Sequence, residues 1–496
     1  MTIFRYILVA LEVVLLFNLL FGVHELGHFL AARWRGLKVE RFAIWFGKPL
    51  WKKNIGGVEY ALGWIPFGGY VSLPQMATME AIEGKAEADT EKLPNVTPLD
   101  KIIVAVAGPL FSFLLAIVFA IVVWQVGKPG METENSTTIG WVDPTGPAAK
   151  AGLLPGDRIL EVDAHPVKHF SPVGNMADSV IWRIVTSENT NIVVKYRREG
   201  KEATVQMIPF HRATKWYERK ALRQILVLPS EEFSIAEIAT NSPAALAGLK
   251  PGDEVVSLNS EKIYHPAAVD YAEQMMTNGV VKPLMLTVRR GGKSFDCTLL
   301  AVKPLMGTNP PTKFEKLCRV LHIPLKPAPL PVTRPRLGIM AWQGDTNTAL
   351  VYPGPLEQVK TSAEQIFSTF GALFSKSEIG VQQLGGAVMI GRVYYNLFQD
   401  EDGWRRVLWF SVILNVNLAL LNMLPLPVLD GGHITLSLIE WIRRRPVHAK
   451  ILEWIQTAFA ALLITFMIYI AFFDTGDWVR SARADRNVPV VFAAPK

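Results

Sequence analysis

Four stretches of this chain, residues 3–30, 102–126, 407–427 and 451–473, are long and apolar enough to cross a bilayer. A hydrocarbon core asks for roughly 20 apolar residues in a helix. Inside it every backbone group must be satisfied within the segment. No other feature constrains the fold as much, and it implies an α-helical polytopic membrane protein with four transmembrane helices. Half of the 496 residues are apolar and the mean hydropathy is positive. That composition excludes a disordered chain or a basic nucleic-acid arm. The lipid bilayer is an expected partner; nucleic acid is not. The first stretch could be misread as a signal peptide cut near Ala31-Ala32. Cleavage there would discard the motif that ends the stretch.

That motif is His24-Glu25-Leu26-Gly27-His28. On a helix the two histidines lie about 40° apart around the axis and about 6 Å along it, so both imidazoles can reach one metal ion. Glu25 is rotated by about 100° from His24, within reach of a water molecule but outside the ligand pair. Zinc lowers the pKa of a bound water to about 7, which makes a nucleophile available at neutral pH. Ionisable residues inside a membrane are costly and need a reason. Only Cys297 and Cys318 occur, so any zinc site must use His, Asp or Glu. Cys297 reads as a core residue, and a disulfide to Cys318 is the lesser alternative.

A catalytic zinc usually takes three protein ligands. The third is best sought in NMLPLPVLDGGH (422–433), where Asp430 follows two prolines and precedes two glycines. Pro425 and Pro427 free backbone groups that membrane depth tolerates only around a protein-lined or watered cavity. His433, three residues on, is a rival ligand. Asp430 is preferred because it completes a His-His-carboxylate set. Glu12, in the middle of the first stretch, lies about 18 Å along the helix from His24. It reads as a neutral or hydrogen-bonded group rather than a catalytic one.

Between the second and third stretches lies an internal repeat. SPAALAGLKPGDEV (242–255) repeats GPAAKAGLLPGDRI (146–159) at an offset of 96, and RRGGK (289–293) repeats RREGK (197–201) at an offset of 92. Two units of about 95 residues follow, each a normal size for one core. Each reads as a short helix, a Pro-Gly-Asp turn, a strand, a second helix and a β-hairpin. They are similar to bacterial PDZ domains. RLGIM (336–340), after the Pro-rich 325–335, reads as the closing strand of the second unit. Residues 355–376 are amphipathic, with Val359, Ile366, Phe367, Phe370 and Phe374 roughly on one face.

Basic residues set the orientation. Arg33, Arg35, Lys38, Arg41, Lys48, Lys52 and Lys53 follow the first span, and Arg443, Arg444, Arg445 and Lys450 lie between the third and fourth. Both groups fall on one side, which the positive-inside rule makes cytoplasmic. Arg405, Arg406, Arg480, Arg483 and Arg486 weigh the other way. The termini and the large central segment are therefore expected outside.

With GVHELGHFLAARWRGLKVERFAIWFGKPLW, IPFGGYVSL, AGPLFSF, the tandem repeat and NMLPLPVLDGGH, the chain resembles the site-2 protease family of intramembrane zinc metalloproteases, of the bacterial regulator of sigma-E protease type with tandem PDZ domains. The resemblance runs over about residues 1 to 475. It implies one Zn2+ per chain held by His24, His28 and Asp430, Glu25 as general base, and Asn422, Pro425 and Pro427 lining the substrate path. It implies cleavage within single-span membrane proteins, among them anti-sigma factors first cut outside and leftover signal peptides. PDZ grooves would capture peptide ends. GGVEYALGWIPFGGYVSL (56–73) reads as a membrane-associated β-hairpin, with Gly68-Gly69 allowing close approach of a substrate backbone. The expected organisation is an N-terminal membrane half (1–130), PDZ domain 1 (131–229), PDZ domain 2 (230–345), an amphipathic connection (346–406) and a C-terminal membrane half with tail (407–496). Its setting would be the bacterial inner membrane, with the PDZ domains periplasmic and the site near the cytoplasm. Two departures from the family, Ser112 for its usual Asn and Gly386-Ala387 for its usual Gly-Pro, are expected to leave the metal set untouched.

Two other readings compete. An inactive PDZ-bearing scaffold should have lost one of His24, Glu25, His28 or Asp430, and all four are present. A metal transporter should repeat polar ligands along several spans, whereas here they cluster.

Overall fold

The computed structural model describes residues 2–76, 96–276, 281–306, 334–344, 349–399, 402–445, 447, 449–484 and 490–492. Cys318 and most of the Pro-rich stretch lie outside the described residues. Helix α1 (Thr2–Trp34) stops at Gly36, whose φ of +75° few other residues adopt. There the Leu37 amide donates to the Ala32 carbonyl at 2.9 Å and the Gly36 amide to Arg33 at 3.2 Å, the 6→1 and 5→2 pair of a Schellman cap.

Strands β1 (Arg41–Ile55) and β2 (Val58–Ser72) follow, joined at Gly56-Gly57. Here the sequence reading needs correction, because 56–73 is not a hairpin by itself. Arg41 pairs with both Ser72 and Glu59, Ile44 with both Gly69 and Leu62, and Asn54 with Glu59. Two long bent strands thus make four passes. The basic stretch 48–53 is no plain charged loop, since it pairs with the first half of β2. The sheet folds back along α1 as far as Asn18, whose Oδ1 accepts from the Trp45 indole at 2.5 Å. Phe29, Ala32, Val71, Leu73 and Val104 form the core between the sheet, α1 and α2 (Pro98–Val126). Thr97 and Asp100 close a capping box at the start of α2, and Arg35, just past the end of α1, anchors Asp100 at 2.6 Å.

The first repeat comprises β3 (Ile139–Val142), α3 (Pro147–Lys150), β4 (Arg158–Val162), α4 (Val180–Thr186), β5 (Ile192–Arg198), β6 (Lys201–Met207) and β7 (Val227–Pro229). Its core gathers Ile139, Leu153, Ile159, Val180, Ile184 and Val194. The second comprises β8 (Phe233–Ile238), α5 (Pro243–Leu246), β9 (Glu254–Leu258), α6 (Ala267–Gln274), β10 (Leu284–Arg290), β11 (Lys293–Leu299) and β12 (Ile339–Gly344). Its sheet runs β11-β10-β9-β8-β12, over a separate core of Ile235, Leu249, Val255, Leu286 and Val288. Cys297 is buried in that core opposite Leu286, as Val205 stands opposite Val194 in the first repeat.

Helix α7 (Pro355–Phe374) lies against α2, where Gln358 Nε2 donates to the Ala120 carbonyl at 3.0 Å. Its apolar residues lie roughly on one face, as their spacing suggested, but that face is only partly covered. Ile366 is buried with Gln358 and Ser362, whereas Phe367 and Phe374 point outward. Helices α8 (Ala387–Gln399), α9 (Gly403–Asn422), α10 (Asp430–Arg443) and α11 (Ala449–Ala484) follow. The third span ends at Asn422 rather than at Pro427, because the prolines at 425 and 427 lack the amide that would continue it. Arg405 at the start of α9 donates to the Val126 carbonyl at the end of α2. Among the described residues four helices, 7–34, 98–126, 403–422 and 451–481, are long and apolar enough to span a membrane.

Candidate metal centre

His24 and His28 stand one turn apart near the end of α1, and Asp430 is the first residue of α10. The three are buried, and their ligand atoms all lie within 4.8 Å of one another. His24 Nε2 is 3.3 Å from Asp430 Oδ2, His28 Nε2 is 3.3 Å from Asp430 Oδ1, and the two Nε2 atoms are 3.3 Å apart. Zinc bonds of 2.0–2.1 Å in a tetrahedron put ligand atoms about 3.3–3.4 Å apart. The two imidazole nitrogens have that separation, and one carboxylate oxygen faces each of them, so the donor set is of the kind and size that suits zinc.

Two glycines bring the helices close enough. A side chain at Gly27 would strike the Ala107 carbonyl oxygen at 2.3 Å, and one at Gly108 would strike His28 Nε2 at 2.2 Å. Asp430 reaches the pair because the Gly431-Gly432 backbone packs on the preceding turn, where added side chains would meet the carbonyl oxygens of Met423 and Leu426 at 2.3 and 2.1 Å. α2 also orients both imidazoles. His28 Nδ1 donates to the Val104 carbonyl at 2.8 Å, which leaves Nε2 as the metal-facing acceptor. His24 Nδ1 lies 3.0 Å from Ser112 Oγ. The expectation that Ser112 stands clear of the candidate metal set is thus wrong: its hydroxyl braces His24 from behind. The other departure is remote, with the Gly386 amide donating to Asp474 at 3.0 Å.

Glu25 is adjacent, with Oε2 buried and without a hydrogen-bond partner among the described residues. Gly69 of β2 packs on it so closely that an added Cβ would lie 3.4 Å from Glu25 Cγ and 3.0 Å from the Ala43 carbonyl oxygen. Gly68, at φ +74°, is bounded by the Phe46 ring instead. His433 is buried on α10 but is not one of the three whose ligand atoms converge. Asn422 ends α9, and Pro425 and Pro427 lie in the turn before Asp430. Gln456 of α11 is buried and donates to the Pro427 carbonyl at 3.4 Å. Sequence reasoning missed Gln456 and the role of Ser112. A polar residue inside an apolar run was the available signal for both.

A family model described as Peptidase family M50 matches residues 12–466. The chain is 26% identical over 480 residues to the Regulator of sigma E protease of Haemophilus influenzae. It is 28% identical over 482 residues to Protease RseP of Yersinia pestis. With a Neisseria meningitidis chain that bears the name of a zinc metalloprotease it shares 27% identity over 467 residues. In each case the match covers 92% of this chain and 96% of the relative.

Proposed function

We propose, from the premise that this chain belongs to peptidase family M50 and is a multi-pass membrane zinc metalloprotease, that it cuts peptide bonds inside the membrane helices of single-span proteins. The observation that carries this is the convergence of His24, His28 and Asp430 beside a buried Glu25, all on or next to membrane-length helices. His24, His28 and Asp430 would hold the metal. When bound there, zinc lowers the pKa of a water molecule and polarises the scissile carbonyl.

The rest is done by the chain itself. The free Oε2 of Glu25 takes a proton from the attacking water and returns it to the departing amide nitrogen, so its role is that of general base and then acid. Val104 and Ser112 keep the imidazoles aimed during that exchange. A substrate helix must be unwound first, and the edge of β2 near Gly69 offers replacement backbone hydrogen bonds next to Glu25. Asn422, Pro425 and Pro427 bound the substrate path on the opposite side. The β1–β2 sheet then acts as a re-entrant element at membrane depth, and the Trp45–Asn18 contact on α1 supports that placement.

In the fuller reading the repeats are PDZ domains, 131–229 and 230–345, set between the membrane halves 1–130 and 407–496 with the connection 346–406. Both lie on the periplasmic side of the inner membrane, and the site is near the cytoplasm. They filter entry by excluding substrates with bulky outer domains and admitting trimmed ones. The name of the Haemophilus relative, regulator of sigma E protease, supports anti-sigma factors as a substrate class. Leftover signal peptides fit the same single-span form.

The test uses purified wild type, Glu25→Gln and Asp430→Asn with single-span substrates in detergent. Glu25→Gln should lose cleavage yet keep about one zinc per chain. Asp430→Asn should lose both. Zinc retained without Asp430 but lost in His433→Ala would move the third ligand to His433. Equal cleavage by wild type and Glu25→Gln would remove the protease mechanism and leave the scaffold reading.

A further inference from the structure

The second repeat places a buried carboxylate at a helix position where the first has isoleucine. On α4 the buried Val180 and Ile184 face the core four residues apart. On α6 the corresponding buried pair is Val269 and Glu273. Glu273 Oε1 accepts from the Leu337 amide at 2.6 Å, inside the protein, and Oε2 lies 3.6 Å from the Arg336 guanidinium. Leu337 belongs to the turn Arg336-Leu337-Gly338 that opens β12, and Gly338 has φ +90°. That turn has a carboxylate on its amide already.

β12 is the edge of its sheet and pairs with β8 on one side. α6 flanks the other side, where Asp270 accepts from the indole of the half-buried Trp342 at 3.0 Å. An extended peptide adding to β12 has to displace that contact. Strand addition uses backbone groups, and capture of a chain end uses free amides at the head of the strand. Here the Leu337 amide at that head is already taken by Glu273. The charged groups facing it are Asp270, Glu273 and Arg336, two negative and one positive. An incoming α-carboxylate would meet a like charge at a buried position.

We infer that the groove between β12 and α6 takes an extended internal segment of polypeptide and rejects a free carboxyl terminus, because Glu273 occupies the end-binding position. This rests on the reading of the repeats as peptide-binding modules.

The experiment uses the full chain in detergent, in a Glu25→Gln background so that nothing is cut. The probe is a fluorescein-labelled decapeptide of alternating Val and Thr with one Lys near its end. It is made as the free acid, as the amide, and extended by Gly-Ser-Gly-Ser. With Glu273 present the amide and the extended form should bind at least tenfold more tightly than the acid. Glu273→Ala should bring the acid to within twofold of the amide. Glu273→Gln, similar in size, removes the charge alone and should improve the acid at least threefold, which covers the case in which Ala unfolds the repeat. If the acid binds the Glu273 chain as tightly as the amide, the inference is overturned and the groove reading stands. If no form binds any of the chains, the groove reading falls and takes the inference with it.

Discussion

In the first repeat the Asp157 carboxylate accepts from Arg198 at 2.7 and 2.6 Å and from the Leu154 amide at 2.9 Å. In the second, Asp253 accepts from Arg290 at 2.6 and 2.6 Å and from the Lys250 amide at 2.7 Å. Each guanidinium also donates to a glycine carbonyl, Gly152 at 2.7 Å and Gly248 at 2.8 Å. The clasp that ties the Pro-Gly-Asp turn to the hairpin is therefore the same in both. The contact between the short helix and the closing turn is not. The first repeat pairs Gly146 with Leu226, and a Cβ on Gly146 would lie 2.9 Å from Leu226 Cβ. The second pairs Ser242 with Gly338, and a Cβ on Gly338 would lie 2.1 Å from Ser242 Cβ. Ser242 in return caps α5 by accepting from the Ala245 amide at 3.2 Å, which Gly146 cannot do for α3. What is repeated is a volume and a backbone path, so residues can be exchanged across the contact so long as one member stays small.

The strongest way to break that comparison is Gly338→Leu, which copies the first repeat into the second on one side only. It combines a positive φ with a collision against Ser242 and should cost about 3 kcal/mol. Ser242→Gly in the same chain should recover a good part of it, since both members then match the first repeat. Hydrogen exchange of the β8 and β12 amides in the full chain measures both variants, and strict additivity of the two changes would show that the contact is not shared.

Next in size is the clasp. Asp157→Ala and Asp253→Ala should each destabilise their own repeat by about 2–3 kcal/mol, discounted because the arginines are partly exposed. A loss in one repeat without the other would sharpen the difference between them. The second clasp also carries a pH signature. Burial raises the Asp253 carboxyl, but the Arg290 guanidinium and the Lys250 amide outweigh it and hold the group below the usual carboxylate range. Its stabilisation is fully present above the ordinary Asp value of about 4 and is lost as pH falls through its lower folded value. Protection of β9 and β10 followed downward from pH 5 tests this; protection that instead falls as pH rises would contradict it.

The smallest effect belongs to the core exchange. Cys297→Val makes the second repeat match Val205 of the first and should change stability by less than about 1.5 kcal/mol. A larger loss by the same exchange measurement would mean that the two hairpins are packed differently.

Most of the site's chemistry is legible in the amino-acid sequence. Two histidines four apart on a helix meet by the geometry of one element, and an acid between two prolines and two glycines announces a special turn. The repeat is legible too, because Pro-Gly-Asp fixes a local turn wherever it stands. The doubled sheet is less so: glycines and aromatics mark its second half, but the lysines of 48–53 have the pattern of a solvated loop, and only their pairing with β2 makes them a strand. Ser112 stands out as a departure from the family pattern, yet nothing local ties residue 112 to residue 24.

Taken alone, the sequence determined the number of spans, the candidate ligands and the repeated unit, which follow from apolar run length, helical spacing and a match between two stretches of the chain. Only the tertiary structure decided that Asp430 and His24 share a 3.3 Å contact, that Ser112 stands behind His24, and that Glu273 sits on the Leu337 amide 64 residues away. The reason is physical. A period reports how side chains are arranged around one element, whereas the distance between elements is set by what fits at their crossing. At this site the crossing depends on absent side chains, at Gly27, Gly108, Gly431 and Gly432.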